Sequence, residues 1–231
     1  MAVELENVVP LGRSLKEYRL MFDLIDEDLD KQILGVADGI ASFNAEMTEL
    51  GKTVISVDPI YNFEGKEINE QFYNVIDSVV DQLEATKGDY KWDIFKSPDE
   101  YKQYRIQTLE KFIADYDLGK RERRYIIGEL PSLDFEDSSF DLALCSHLLF
   151  FYSEQLDYQF HLASVKEILR TANEVRIFPL LDLKLNRSVH LDPIISELES
   201  ESLLVETRKV DYDMQRGENI MLRIAKKNDP I

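Results

Sequence analysis

The residues best placed to do chemistry lie between positions 33 and 59. Ile33-Leu34-Gly35-Val36-Ala37-Asp38-Gly39-Ile40-Ala41-Ser42-Phe43 reads as a buried strand, a turn of small residues and the start of a helix. Small residues let the backbone approach a ligand, and a helix start offers unpaired N–H groups. The spacing Gly35-x-Ala37-x-Gly39 departs from the dinucleotide fingerprint. Ala37 stands where a second glycine would admit a pyrophosphate, and Ile40 takes the third position. Gly51-Lys52-Thr53 has Glu46 where the first glycine of a nucleoside triphosphate loop would stand, and it leads into an apolar run, which excludes such a loop. The turn therefore suits a ligand without phosphate. Asp38 has two readings: a cap on the helix beginning near Gly39, which is preferred, or an attractor for a ligand ammonium. Asp58 ends a second apolar strand in Ser56-Val57-Asp58-Pro59, about 20 positions after Gly35, where an acid can accept both hydroxyls of a ribose. A solvated strand-end aspartate before a turn proline is the plain alternative. The small-residue turn beside it favours the ribose.

These segments need a scaffold, and the rest of the chain spells one. Short apolar runs over Gln32 to Val36, Thr53 to Val57, Tyr125 to Gly128, Phe140 to Cys145 and Glu174 to Leu180 suit strands covered on both faces. Helical stripes over Ala41 to Leu50 and Glu154 to Thr171 alternate with them, and Ser14 to Leu24 is a helix before the first strand. Pro193 to Leu198 is a further short helix. Ser202 to Tyr212 and Glu218 to Ala225 then flank Gln215-Arg216-Gly217 as a hairpin. The expected fold is a Rossmann-like, doubly wound α/β domain spanning 1–231. Its sheet is mostly parallel, with an antiparallel C-terminal hairpin strand. Residues 62–124 form a helical insertion after the second strand, with helices over Lys66 to Thr86 and Pro98 to Leu118. Two readings stay open for it: a cap over the site, or an extended crossover layer that touches no ligand.

Composition narrows the partners. Of 231 residues, 27 are Lys or Arg and 45 are Asp or Glu, a formal charge of −18. Such a surface repels phosphate backbones and anionic membranes, so nucleic acid is disfavoured and a small-molecule substrate is expected. The single cysteine, Cys145, reads as inert packing. No metal-type Cys/His spacing, membrane-length apolar run or secretory start is visible, and the expected location is cytoplasmic. Lys120 to Arg124, the basic cluster, reads as cations closing a helix.

With Gly35-x-Ala37-x-Gly39 and Asp58 in place, a third segment, Gly128-Glu129-Leu130-Pro131 through Ser138-Ser139-Phe140-Asp141 to Ser146-His147, completes a pattern. Together they resemble the class I S-adenosylmethionine-dependent methyltransferases, over roughly Leu29 to Leu181 plus the terminal hairpin. Gly35-Val-Ala-Asp-Gly and the strand from Glu174 look, more narrowly, like a group of uncharacterised bacterial methyltransferase-like proteins. The resemblance implies S-adenosyl-L-methionine as cofactor. Gly35, Ala37 and Gly39 would line its methionine moiety, with Asp38 a substitute partner for the ammonium. Asp58, followed by Pro59, would hold the ribose. Glu129 would face the adenine amino group, Leu130 would cover the ring, and Ser146 and His147 would lie below the sulfonium. Two positions depart from the family: Ile33 replaces an acid, and Ala37 replaces a glycine.

The implied function is methyl transfer to a small-molecule acceptor. His147 is the candidate base, against the preferred plain reading of a hydrogen-bonded histidine shaping the pocket. Tyr152 either lines the acceptor pocket or packs. Arg176 and Arg13 could each bind a carboxylate, and Arg176, inside an apolar strand, must be paired if buried. His190 is expected at the surface. The alternative function is a non-catalytic binding or regulatory protein on the same fold, motivated by Ile33 and Ala37. A nicotinamide oxidoreductase is a third reading, opposed by Ala37 and Ile40.

Overall fold

The computed structural model describes residues 10–201, 203–214 and 219–226. The expected turn Gln215-Arg216-Gly217 and the chain's opening residues 1–9 lie outside that set. Seven strands form one sheet in the order β3-β2-β1-β4-β5-β7-β6. They are β1 (Ile33–Val36), β2 (Val54–Val57), β3 (Tyr125–Ile126), β4 (Phe140–Ser146), β5 (Ala172–Phe178), β6 (Leu203–Lys209) and β7 (Ile220–Lys226). The first five are parallel, and β7 inserts antiparallel between β5 and β6. This is the doubly wound sheet with a C-terminal hairpin that the alternation of apolar runs and helical stripes dictates.

Strand periodicity divides the core in two. Ile33, Val54, Leu142 and Leu144 face one way, and Leu34, Val36, Ala143 and Cys145 face the other. The first face is covered by α1 (Leu15–Phe22), α2 (Phe43–Glu49), α3 (Gly65–Ala85) and α4 (Pro98–Arg121). The second is covered by α5 (Tyr158–Thr171) and α6 (Leu191–Glu199). Burial on both sides explains why β1 and β4 read as unbroken apolar runs.

Residues 62–124 pack as a layer on the first face. Ile68, Phe72, Ile76, Val79 and Leu83 make one stripe along α3, and Tyr101, Leu109, Phe112 and Tyr116 one along α4. Tyr61, Phe112, Tyr116 and Tyr125 join in an aromatic cluster with ring centroids 4.9–6.3 Å apart.

One buried ion cluster ties the layers together. Ser14 and Glu17 close a capping box at the start of α1. Arg105 of α4 grips both Glu17 oxygens in a fork, with 0% and 1% of the two side chains exposed. Tyr212, after β6, donates its hydroxyl to Glu17 Oε1 at 2.8 Å. Tyr101 stacks on the guanidinium at 4.8 Å. Burial alone would raise the Glu17 carboxyl, but the Arg105 charge holds it below the usual carboxylate range.

Breaking one side of this pair should be costly. Arg105→Met is expected to lose about 3–5 kcal/mol in urea unfolding, because Glu17 would be left buried and uncompensated. Removing both charges, in Glu17→Gln/Arg105→Met, should lose less than the single change. Equal losses would show that packing, not charge pairing, dominates there.

Candidate functional site

The direction of strand ordering reverses between β1 and β4, and at such a switch point the loops beyond the carboxyl ends diverge and leave a crevice. A cavity of about 470 Å³ lies there, within the range of small-ligand sites. The tips of four strands supply its floor: Ala37, Asp38 and Gly39 after β1, Asp58, Pro59 and Ile60 after β2, Gly128, Glu129 and Leu130 beyond β3, and Ser146, His147 and Leu148 at β4. Pro10, Leu11, Arg13 and Tyr18 close it from the N-terminal segment, and Phe63 and Gln71 contribute from the 62–124 region.

The loop after β1 is held in a sharp turn. Ala37 and Gly39 both have positive φ, 55° and 53°. Gly39 adopts this without strain. Ala37 places a methyl in the left-handed region, at a cost of about 1–2 kcal/mol. Its N–H donates to the Val57 carbonyl at 2.9 Å, which fixes the turn against β2. Asp58 then locks it from the other side. Its Oδ2 accepts the Gly39 N–H at 2.9 Å and its Oδ1 the Ile60 N–H at 2.8 Å. One donor per oxygen leaves each with a further lone pair, and Asp58 lines the cavity.

Asp38 does not cap the helix. The helix begins only at Phe43, and its N-cap, Ser42, makes no side-chain capping bond. The Asp38 carboxylate folds under the loop instead. Tyr18 donates its hydroxyl to Oδ1 at 2.5 Å and Ser56 donates to Oδ2 at 2.6 Å. Asn44 supports Ser56 at 3.1 Å. Gly35 is a glycine for this reason: a Cβ there would lie 1.8 Å from Asp38 Oδ2. Burial pushes both Asp38 and Asp58 up to about 6, Asp38 against the opposing hydroxyl bonds and with the Asp58 charge adding to the rise. The two backbone N–H bonds oppose the rise at Asp58.

On the β4 side, His147 also has positive φ, 54°, and its N–H donates to the Phe178 carbonyl at 2.8 Å. Its Nδ1 lies 2.8 Å from Ser146 Oγ, and the ring meets Phe151 and Phe178 edge-on. Burial, then the positive charges of Arg13 and Arg105, hold its imidazole well below the usual histidine value, so the ring is neutral at physiological pH. With Ser146 Oγ donating to the Met21 sulfur and accepting from Nδ1–H, Nε2 is the ring nitrogen with the free lone pair. Cys145, the residue before Ser146, is buried on the opposite face and its thiol is pushed up to about 12 by burial, an inert side chain.

The structure gathers Ala37, Asp38, Gly39, Asp58, Pro59, Glu129, Leu130, Ser146 and His147 around one cavity. Gly35 lies beneath it, under Asp38. Tyr152 is buried and packs edge-on against Phe151, away from the lining. Arg176 is engaged elsewhere: its guanidinium meets Asp28, Glu174 and the carbonyls of Phe22 and Asp23, which fastens α1 and the following turn to β5. It is therefore no receptor for a carboxylate in the cavity. His190, expected at the surface, is half-buried with its ring 4.7 Å from that of His161. Tyr18, Ser56 and Gln71 escaped the sequence reading. They come from separate elements, and only the apolar stripe of α1 marked Tyr18 as inward-facing. Among the described residues, no group of three or more His, Cys, Asp or Glu could hold a metal.

Gly35→Ala should drive Asp38 from its Tyr18 and Ser56 bonds and destabilise the fold by about 1–3 kcal/mol, the usual cost of overpacking. The same change in an Asp38→Ala background should cost clearly less. Additivity in a double-mutant cycle would show that Asp38 is not what the glycine accommodates.

No family model matches the chain. Among solved structures, a TehB-like SAM-dependent methyltransferase from Corynebacterium glutamicum is similar, with 14% identity, 92% of this chain and 87% of that chain covered, and a TM-score of 0.49. Magnesium protoporphyrin IX methyltransferase (ChlM) from Synechocystis, with bound SAM, gives 12% identity, coverage of 87% and 73%, and a TM-score of 0.45. Among curated proteins, the uncharacterised protein MJ0045 of Methanocaldococcus jannaschii is 36% identical over 225 residues, 97% of this chain and 99% of that protein. That relative is archaeal, whereas the sequence motifs had suggested a bacterial group. An alignment at that identity running through nearly the whole of both proteins means that the chain belongs to the same family as MJ0045.

Proposed function

We propose that the protein is an S-adenosylmethionine-dependent methyltransferase acting on a small-molecule acceptor. The observation that carries this reading is Asp58. Its carboxylate sits at the tip of β2, on the cavity, with one lone pair on each oxygen committed to backbone and one left to accept a ribose hydroxyl.

The surroundings fit the rest of that cofactor. Among the described residues, Arg13 is the cation lining the cavity, against three acids, Asp38, Asp58 and Glu129, a balance that opposes a pyrophosphate. The Ala37 methyl, pointing from a left-handed turn, further opposes one. A positively charged, phosphate-free nucleoside suits both features. Leu130 supplies an apolar surface for the base, and the exposed Glu129 an acceptor for its amino group. The cavity volume, about 470 Å³, is that of a small-ligand site.

When bound, S-adenosylmethionine supplies an electrophilic methyl group. The protein's own residues then have distinct tasks. Asp58 and the Ala37–Gly39 turn fix the position of the nucleoside, and alignment of this kind is worth about 7–11 kcal/mol in a displacement. Asp38, buried below the turn, contributes negative charge on the side of the ligand ammonium. His147, neutral and facing the cavity, takes a proton from the acceptor at Nε2.

Calorimetry with S-adenosylmethionine and S-adenosylhomocysteine tests the reading. Both should bind, and absence of binding by either at millimolar concentration would remove it. Binding without turnover across a broad acceptor panel would favour a non-catalytic member of the fold instead. Asp58→Ala should weaken S-adenosylhomocysteine binding by about 1.5–3 kcal/mol, the value of a hydrogen bond to a charged group.

The pH dependence follows from the same carboxylate. The ribose hydroxyls bind its ionised form, so the ligand must expel any proton held there. Affinity should be flat above about pH 6 and fall by up to tenfold per unit below it, with proton release on binding near that pH. In Asp58→Asn that slope should shrink. An unchanged slope would mean that the titrating group is elsewhere.

A further inference from the structure

Arg13 is a cation in surplus. Its side chain is 11% exposed and lies beside the Glu17 cluster, where one carboxylate faces two guanidiniums. Arg105 has already taken both Glu17 oxygens, and Tyr212 and the Ser14 N–H fill the remaining acceptor positions. Arg13 Nε stands 3.8 Å from Glu17 Oε1, too far for a hydrogen bond, and is buried without a partner. The hydrogen bonds its guanidinium makes go from NH1 to the carbonyls of Leu11 and Gly12 in its own segment. Among the described residues this cluster holds two cations and one anion, which leaves one unbalanced positive charge, and a buried charge in that condition is poorly stabilised until a counter-charge arrives.

The position of that charge is fixed. The Gly12 backbone lies so close over the first turn that a Cβ there would meet the Ile40 carbonyl oxygen at 2.1 Å. Ser42 N–H binds the Arg13 carbonyl at 3.0 Å. Arg13 thus lines the same cavity as His147, while the acids Asp38, Asp58 and Glu129 occupy the floor beyond β1, β2 and β3. Among the described residues, the cavity lining thus combines three carboxylates with one guanidinium, whose charge reaches the His147 imidazole.

We propose that Arg13 binds an anionic group of the acceptor, so that the substrate is a small carboxylate-bearing molecule whose nucleophilic atom is presented to His147. This rests on the methyltransferase reading above. In the step it implies, a lone pair of the acceptor forms the new bond to the methyl carbon, the carbon–sulfur bond breaks with its pair passing to the sulfonium sulfur, and the proton leaving the acceptor goes to His147 Nε2. The anion does not take part in that exchange. It anchors the acceptor by a fork of N–H donors that lysine cannot reproduce.

The test uses the full chain with uniformly labelled nitrogen and follows the arginine Nε–H resonances. First, S-adenosylhomocysteine and 5′-methylthioadenosine are titrated by calorimetry. Failure of both to bind defeats the cofactor reading and leaves the anion measurement standing by itself. Then acetate, benzoate and the neutral isostere benzamide are added to the saturated protein. The expected result is a saturable shift of the Arg13 signal, assigned through Arg13→Lys, by the two carboxylates at millimolar concentration and none by benzamide. In Arg13→Gln, carboxylate binding should fall at least tenfold while S-adenosylhomocysteine affinity stays within twofold of the wild type. No shift with either carboxylate, or an equal response to benzamide, overturns the proposal. So does a loss of S-adenosylhomocysteine affinity in Arg13→Gln that 5′-methylthioadenosine does not share, because Arg13 would then serve the methionyl carboxylate of the cofactor. Arg13→Lys keeps the charge, so it reports on the fork even if the glutamine variant is unstable. Its carboxylate affinity should lie between those of the other two.

Discussion

A single carboxylate with no access to water, Glu17, sets the geometry of the molecule. It caps the first helix through its own backbone neighbourhood, takes the guanidinium of Arg105 from α4 and receives the hydroxyl of Tyr212 from the C-terminal hairpin. Three parts of the chain far apart in sequence meet on four lone pairs. Burying such a group is unfavourable by itself, and only complete satisfaction makes it tolerable. The cluster therefore acts as a constraint on register more than as a source of stability. If α1 slid by a turn, Glu17 would lose Arg105, and the segment from Pro10 to Ser14 would leave the top of the cavity.

A second buried carboxylate, Asp38, does the corresponding job on the floor. It is reached by Tyr18 from the same helix, α1, so the two networks share one rigid element. Tyr18 also stacks on Phe43 with centroids 4.2 Å apart, which joins the helix before the sheet to the helix after the first turn. The turn itself holds two left-handed residues, of which Ala37 is strained and Gly39 is not, and it persists because Asp58, Val57 and Tyr61 all bond its backbone. Roof and floor are thus both referenced to α1. Their separation, and hence the cavity, is determined by side chains anchored to that helix.

Much of this was readable from the chain in one dimension, and the exceptions share a cause. The five parallel strands announced themselves because both faces are buried, which leaves runs such as Leu142-Ala143-Leu144-Cys145 without polar interruptions. The helix read over Ser14 to Leu24 corresponds to α1, Leu15–Phe22, with Ser14 as its cap. Asp38 was misread as a cap because the sequence shows where small residues permit a turn, not how long the turn lasts; four residues pass between Asp38 and the helix. Arg176 invited a functional reading because an arginine inside an apolar strand needs a partner, and its partners, Asp28 and Glu174, satisfy that need by structure alone. For residues 62–124, the amphipathic stripes said that one face of each helix is buried but not against what. Pairings between elements, such as Arg105 with Glu17, leave no local trace.

Charge follows the same logic at the scale of the whole chain. With a formal charge of −18, the surface field disfavours the approach of any anion. A buried guanidinium lacking a matched carboxylate works against that field at short range, where low polarity and exclusion of water strengthen it. A molecule carrying a negative group would meet a weak long-range barrier, largely screened beyond about 8–10 Å by salt, and then a strong local attraction. A polyanion would meet the barrier along its whole length and reach the attraction with one group only. On the proposed assignment the two scales would favour a small anion over a polyanion.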